Sequence, residues 1–161
     1  MGAITPFLWF DTEAEAAAGF YVSIFPNSRI TGVSHYPPGI PPHAPRSGEV
    51  MTVAFELDGK PFVALNGGPE PTFNHAVSFA VACKDQAEID RYWAALTADG
   101  GKEVACGWLT DRYGLAWQIV PENIEAMITA DPKRSEAVMA AVVTMVKLDI
   151  AALRRAYDAA A

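Results

Sequence analysis

Twice within 161 residues the chain runs through the same order of elements, and that duplication restricts its possible folds more than any other feature. The first copy opens with the apolar run Ile4-Thr5-Pro6-Phe7-Leu8-Trp9-Phe10. Helical spacing follows over 12–25, then strand patterns at 29–35, 50–57 and 61–66. The second opens with Val77-Ser78-Phe79-Ala80-Val81-Ala82, continues with a helix over 85–97, and closes with strands near 102–105, 107–110 and 115–120. A shift of 72 lays Phe20-Tyr21 over Tyr92-Trp93 and Ile24 over Leu96. Each copy reads β-α-β-β-β. The fold class is therefore α+β, built from two paired βαβββ modules. Module one covers 1–68, module two 76–121, and a C-terminal helical extension 122–161, all within a single domain over 1–161. Two curved half-sheets of this kind can enclose one pocket.

Local chemistry supports the element boundaries. Asp11 and Thr12 can cap the first helix, with Glu13 and Glu15 where the helix dipole favours anions. Pro26-Asn27 ends that helix. Asp85 followed by Glu88 has the form of a capping box, and Ile89, Tyr92, Trp93 and Leu96 make the apolar face behind it. Asp58-Gly59 is a hairpin signal, and Asp111-Arg112-Tyr113-Gly114 turns the second module at the equivalent place. Residues 37–48, rich in proline and glycine, form a loop unique to the first module, either a flap or a tolerated surface loop. In the extension, 122–130 is a short helical stretch, Asp131-Pro132 starts a helix through about Met145, and Asp149 caps a last one. The faces Val138/Val142/Met145 and Ile150/Leu153/Tyr157 need a partner surface, in this domain or in a second copy, which predicts a homodimer.

Composition narrows the functional classes. A formal net charge of −7, with no concentrated basic surface, excludes nucleic-acid binding. No apolar run reaches the length of a membrane span, and no signal peptide or myristoylation motif is read at Met1-Gly2. Cys83 and Cys106 have neither disulfide-framework nor metal-ligand spacing, so a cytoplasmic location is expected.

Several stretches carry a family resemblance. Cys-Gly-Trp-Leu-Thr (106–110) followed by Asp-Arg-Tyr-Gly-Leu-Ala-Trp-Gln-Ile-Val-Pro (111–121) resembles the PhnB-like branch of the vicinal oxygen chelate superfamily. Thr-Pro-Phe-Leu-Trp-Phe-Asp (5–11), Phe-Tyr-Val-Ser-Ile-Phe-Pro (20–26) and Lys-Leu-Asp-Ile-Ala-Ala-Leu (147–153) match it too. The superfamily includes glyoxalase I, bleomycin-resistance proteins and extradiol dioxygenases, and this branch carries the label 3-demethylubiquinone-9 3-methyltransferase-like. The resemblance implies the paired-module fold and a homodimer. The methyltransferase activity is not expected: the turn after Phe10 is Asp-Thr-Glu-Ala-Glu, without the glycine that lets a backbone approach S-adenosylmethionine.

Metal-using members of the superfamily take ligands from the first and fourth strands of each module. Laid on this chain, that pattern reaches Ile4, Ser78, Gln118 and either Phe62 or Asn66, which carry no formal charge. His35, His43 and His75 miss those positions. No metal and no cofactor is therefore expected. Strand alternation gives Leu8, Phe62, Ala64, Ala80 and Ala116 the same inward phase, and Trp9 and Trp117 the helix-facing one. Asn66, Ser78 and Gln118, with Trp108 as a wall, are the candidate ligand-binding residues: neutral hydrogen-bonding groups in an apolar setting. Their alternative reading is as satisfied polar groups at strand ends. Ser78 has no neighbouring base, Cys106 reads as a packed thiol, and Glu49 is the best acid for proton chemistry. The expected partner is a small amphipathic molecule bound without metal. The alternative is a lyase or dioxygenase-type enzyme with a non-standard metal site.

Overall fold

The computed structural model describes residues 4–42 and 44–161; Met1-Gly2 and His43, singled out above, lie outside them. The chain divides into two compact units, one ending at Thr72 and one running from Phe73 to Ala161.

The first unit contains β1 (Phe7–Phe10), α1 (Ala14–Ile24), β2 (Arg29–His35), β3 (Val50–Leu57) and β4 (Lys60–Asn66). Its sheet has the order β1-β4-β3-β2, with β1 parallel to β4 and the other pairs antiparallel. The Asp58-Gly59 turn holds two residues with positive φ, as a tight hairpin demands. It sets Phe55 opposite Phe62. These rings stack on each other, and Tyr21 of α1 stacks on Phe55. Helix and sheet share that apolar core, with Leu8, Val53 and Ala64 buried in it.

The second unit repeats the plan with β5 (Ser78–Cys83), α2 (Gln86–Thr97), β6 (Lys102–Glu103), β7 (Trp108–Thr110) and β8 (Ala116–Pro121), in the order β5-β8-β7-β6. Asp85 caps α2 by accepting from the Glu88 N–H at 2.9 Å. The Glu88 carboxylate reaches back to the Lys84 N–H at 3.1 Å, one residue earlier than in a standard capping box. The β7–β8 turn is held by Asp111, almost wholly buried, which accepts from the Tyr113 and Leu115 N–H groups and from the Trp117 indole at 2.9 Å.

Three helices follow: α3 (Ile124–Ile128), α4 (Pro132–Val142) and α5 (Ile150–Ala159). Asp131 and Asp149 cap α4 and α5, and α4 stops three residues short of Met145. Met127, Val138, Val142, Leu148 and Leu153 form their own core, against which Met145 and Tyr157 pack. Of the apolar faces from which a homodimer is expected, Val138, Val142 and Leu153 are buried in this core and Met145 and Tyr157 pack on it, while Val143 and Val146 next to them stay exposed. Among the described residues no helix is long and apolar enough to cross a membrane.

Candidate ligand-binding face

In the first unit the expected phase is reversed. Phe62 packs on the α1 side through Phe55, and Leu8, Ala64 and Asn66 share its face by strand alternation and register. The alternation in β3 carried this signal: Val53, Phe55 and Leu57 lie on one face, Thr52 and Glu56 on the other. Trp9 is correspondingly on the face away from α1, level with Leu65 and Thr52, and its indole donates to the Gly68 carbonyl at 2.9 Å. Gly67 is required beside it, since a Cβ there would come within 2.1 Å of the indole ring.

Asn66 is buried and engaged on all sides. Its Oδ1 accepts from the Ala14 N–H at 2.8 Å, so it caps α1 in place of Asp11 or Thr12. Glu13, at the N-cap position, makes no such bond. Asn66 Nδ2 donates to the Val50 carbonyl, and its own carbonyl receives Tyr36 and Arg46. Arg46 also pairs with Glu49 at 2.9 Å, which fastens the base of the 37–48 loop and occupies the acid proposed for proton chemistry.

In the second unit the expected phase holds. Trp117 faces the helix side beside Phe79, its indole spent on Asp111. Ser78, Ala80, Trp108, Thr110, Ala116 and Gln118 lie on the opposite face, by alternation and by the register Ala80↔Gln118↔Trp108. Gln118 Nε2 donates to Ser78 Oγ at 2.9 Å, and both residues are only partly buried. That bond leaves the Ser78 hydroxyl proton and Gln118 Oε1 without a partner among the described residues, together with the Trp108 indole N–H. With the second N–H of the Gln118 amide, three donors and an acceptor therefore stand on one face around small apolar side chains. His75, exposed, sets its ring edge-on to Trp108 at 6.3 Å between centroids; sequence separation from the strand phase hid this contact.

These residues do not fit a divalent ion. Ser78 and Gln118 are neutral and bonded to each other, Asn66 is spent on the fold, Phe62 packs toward α1, and Ile4 is an exposed hydrocarbon. Among the described residues no three His, Cys, Asp or Glu side chains come together as a metal would need. Neither cysteine offers a ready nucleophile: burial pushes the Cys83 thiol up to about 12, and Cys106 packs against the extension. A recess of about 410 Å³ opens elsewhere, where α2 and α5 begin, lined by Lys84, Asp85, Gln86, Asp149, Ile150 and Arg154. The helix ends there are already capped by Asp85 and Asp149, and Gln86 bonds Leu148 and Ile150.

The profile of the family described as 3-demethylubiquinone-9 3-methyltransferase matches residues 2–120. Among solved structures, the PhnB protein from Bacillus cereus, which bears the same methyltransferase name, is 32% identical with a TM-score of 0.64, covering 74% of this chain and 99% of its own. A Pseudomonas aeruginosa protein (18% identity, TM-score 0.59, 75% and 98% covered) shares the fold. So does a genomically encoded fosfomycin resistance protein from Listeria monocytogenes (13%, 0.52, 78% and 96%). No curated protein matches the chain. With its duplicated βαβββ topology and a profile match over most of its length, the chain belongs to the 3-demethylubiquinone-9 3-methyltransferase family, the PhnB-like branch of the vicinal oxygen chelate superfamily.

Proposed function

We propose that this protein binds a small amphipathic molecule, without a metal, on the face of the second sheet turned away from α2. The observation that carries the reading is the Gln118–Ser78 pair, 2.9 Å apart and half-buried beside Trp108. Beside Trp108 and the small side chains of Ala80 and Ala116, this pair keeps hydrogen-bonding capacity that no described residue takes up. A ligand with an aromatic or alkyl body and a carbonyl or carboxylate end complements them, the body on Trp108 and the polar end at Ser78 and Gln118. The methyltransferase name gains no support from the chain's own residues. The β1–α1 junction, 11–13, has no glycine, and the first N–H of α1 already belongs to Asn66. Two thiols without a disulfide framework fit a cytoplasmic setting.

Ligand-observed NMR against a panel of small aromatic amides and acids tests the reading. Gln118→Ala should weaken the binders by about 1 kcal/mol, roughly fivefold, the worth of one neutral hydrogen bond, and Trp108→Ala by a similar amount. Binders indifferent to both changes would refute it. The homodimer remains a proposal resting on the family resemblance: sedimentation should give twice the 17.3 kDa chain mass, and a monomer at micromolar concentration would contradict it.

A further inference from the structure

The family profile stops at residue 120, and the Bacillus cereus relative is spanned almost end to end by 74% of this chain. Helices α3–α5 therefore lie beyond the residues the profile matches, although the 147–153 stretch among them carries part of the resemblance. They are nonetheless fastened to the second unit. The Cys106 and Gly107 N–H groups donate to the Met145 and Val146 carbonyls, each at 2.8 Å. Gln86 of α2 bridges the Leu148 carbonyl and the Ile150 N–H, and Lys147 pairs with Asp90 at 2.6 Å. The contact at Val120 decides what this docking does. Val120 alternates with Gln118 along β8 and so points to the face that carries Ser78, Ala80 and Trp108. It packs against the extension's core, as does Cys106. The extension thus meets that face at Val120, with Cys106 packed beside it, while Ala82 opposite Val120 on β5 stays exposed. The next row, Ala80–Gln118–Trp108, is two residues away, about 7 Å of strand.

We infer that the C-terminal extension is the end wall of the ligand face and sets the length of apolar tail that the face accepts. This rests on the ligand reading proposed above. A molecule held by its polar end at Ser78 and Gln118 can extend its body over Ala80 and Trp108, and meets hydrocarbon at Val120 and the Met145 region beyond it. Met145, half-buried and packed on the core, and Val120 are the specificity-determining residues this geometry assigns.

The test is a series of N-alkylbenzamides, methyl to octyl, titrated by ligand-observed NMR into the full-length protein and into Met145→Ala, Val120→Ala and Gln118→Ala. Affinity for the unchanged protein should peak at a short alkyl group. Met145→Ala and Val120→Ala should each move the peak to longer groups, with the longest member gaining about tenfold, while Gln118→Ala weakens all members alike. The two wall variants sit on different elements, so misfolding of one, seen by circular dichroism, leaves the other to decide. A peak that stays in place while Gln118→Ala still weakens the series overturns the wall and leaves the ligand face standing. A series that binds Gln118→Ala as well as the unchanged protein, or does not bind, overturns both.

Discussion

Asn66 and Gln118 show how residues of similar chemistry take different roles through their surroundings. Both carry a primary amide and sit on a strand that pairs with the first strand of its unit. Asn66 ends β4 against the start of α1, where its amide caps the helix and ties down Val50. Gln118 lies mid-strand on the face that the helix does not cover, and only the Ser78 bond occupies it. Asn66→Ala should therefore lower stability by about 2 kcal/mol, since it leaves buried partners unsatisfied, with ligand affinity unchanged. Urea unfolding measures this, and a loss below about 0.5 kcal/mol would contradict the capping role. Cys83 gives a pH-dependent prediction. Desolvation is the chief cause of its thiol rising from 9.0 to about 12. Across that window the unfolded thiol has lost its proton while the folded one keeps it, so its contribution is intact below about 9 and is lost as pH rises toward 12. The stability advantage over Cys83→Ala should hold below about pH 9 and shrink as pH rises above it in urea titrations; an advantage independent of pH would show that the thiol titrates freely.

At the level of elements, the order β-α-β-β-β was legible twice because turns and caps punctuate it: Pro26-Asn27, Asp58-Gly59, Asp85, Asp131-Pro132 and Asp149 all mark true boundaries or lie beside them. The face of the first sheet that meets the helix differs from the expected one, because the superfamily's ligand pattern set the expected phase while the apolar alternation Val53/Phe55/Leu57 points the other way. The α1 cap was not legible at all, since Asn66 is 52 residues from Ala14 and local sequence cannot show a long-range hydrogen bond. The docking of the extension was equally hidden. It depends on Gly107, at φ 80°, where a Cβ would approach Leu148 Cγ to 2.9 Å and the Ile119 carbonyl to 3.0 Å. Gly107→Ala should destabilise the protein by at least about 2 kcal/mol, through left-handed backbone strain plus that collision. A thermal shift indistinguishable from the unchanged protein would mean the extension yields easily.

For the molecule as a whole, the fold was readable from the duplication, and the family from short motifs whose structural reasons are now visible. Asp111 and Trp117 of the Asp-Arg-Tyr-Gly-Leu-Ala-Trp-Gln segment bond to each other to hold the β7–β8 turn, and Gln118 next to them faces the proposed ligand side. Asp111 and Trp117 of that motif therefore specify architecture, and Gln118 carries the chemistry proposed here. That division explains why a family name travels with the fold while function depends on a few exposed side chains. The most direct measurement is chemical-shift mapping of the full-length, isotope-labelled protein with the tightest binder from the amide and acid panel. The account predicts perturbations centred on the Trp108 indole N–H, the Gln118 side-chain amide and the amides of Ser78 and Ala80. Perturbations centred instead on the recess at Lys84, Gln86 and Arg154, or on the sheet of the first unit around Trp9, would contradict it.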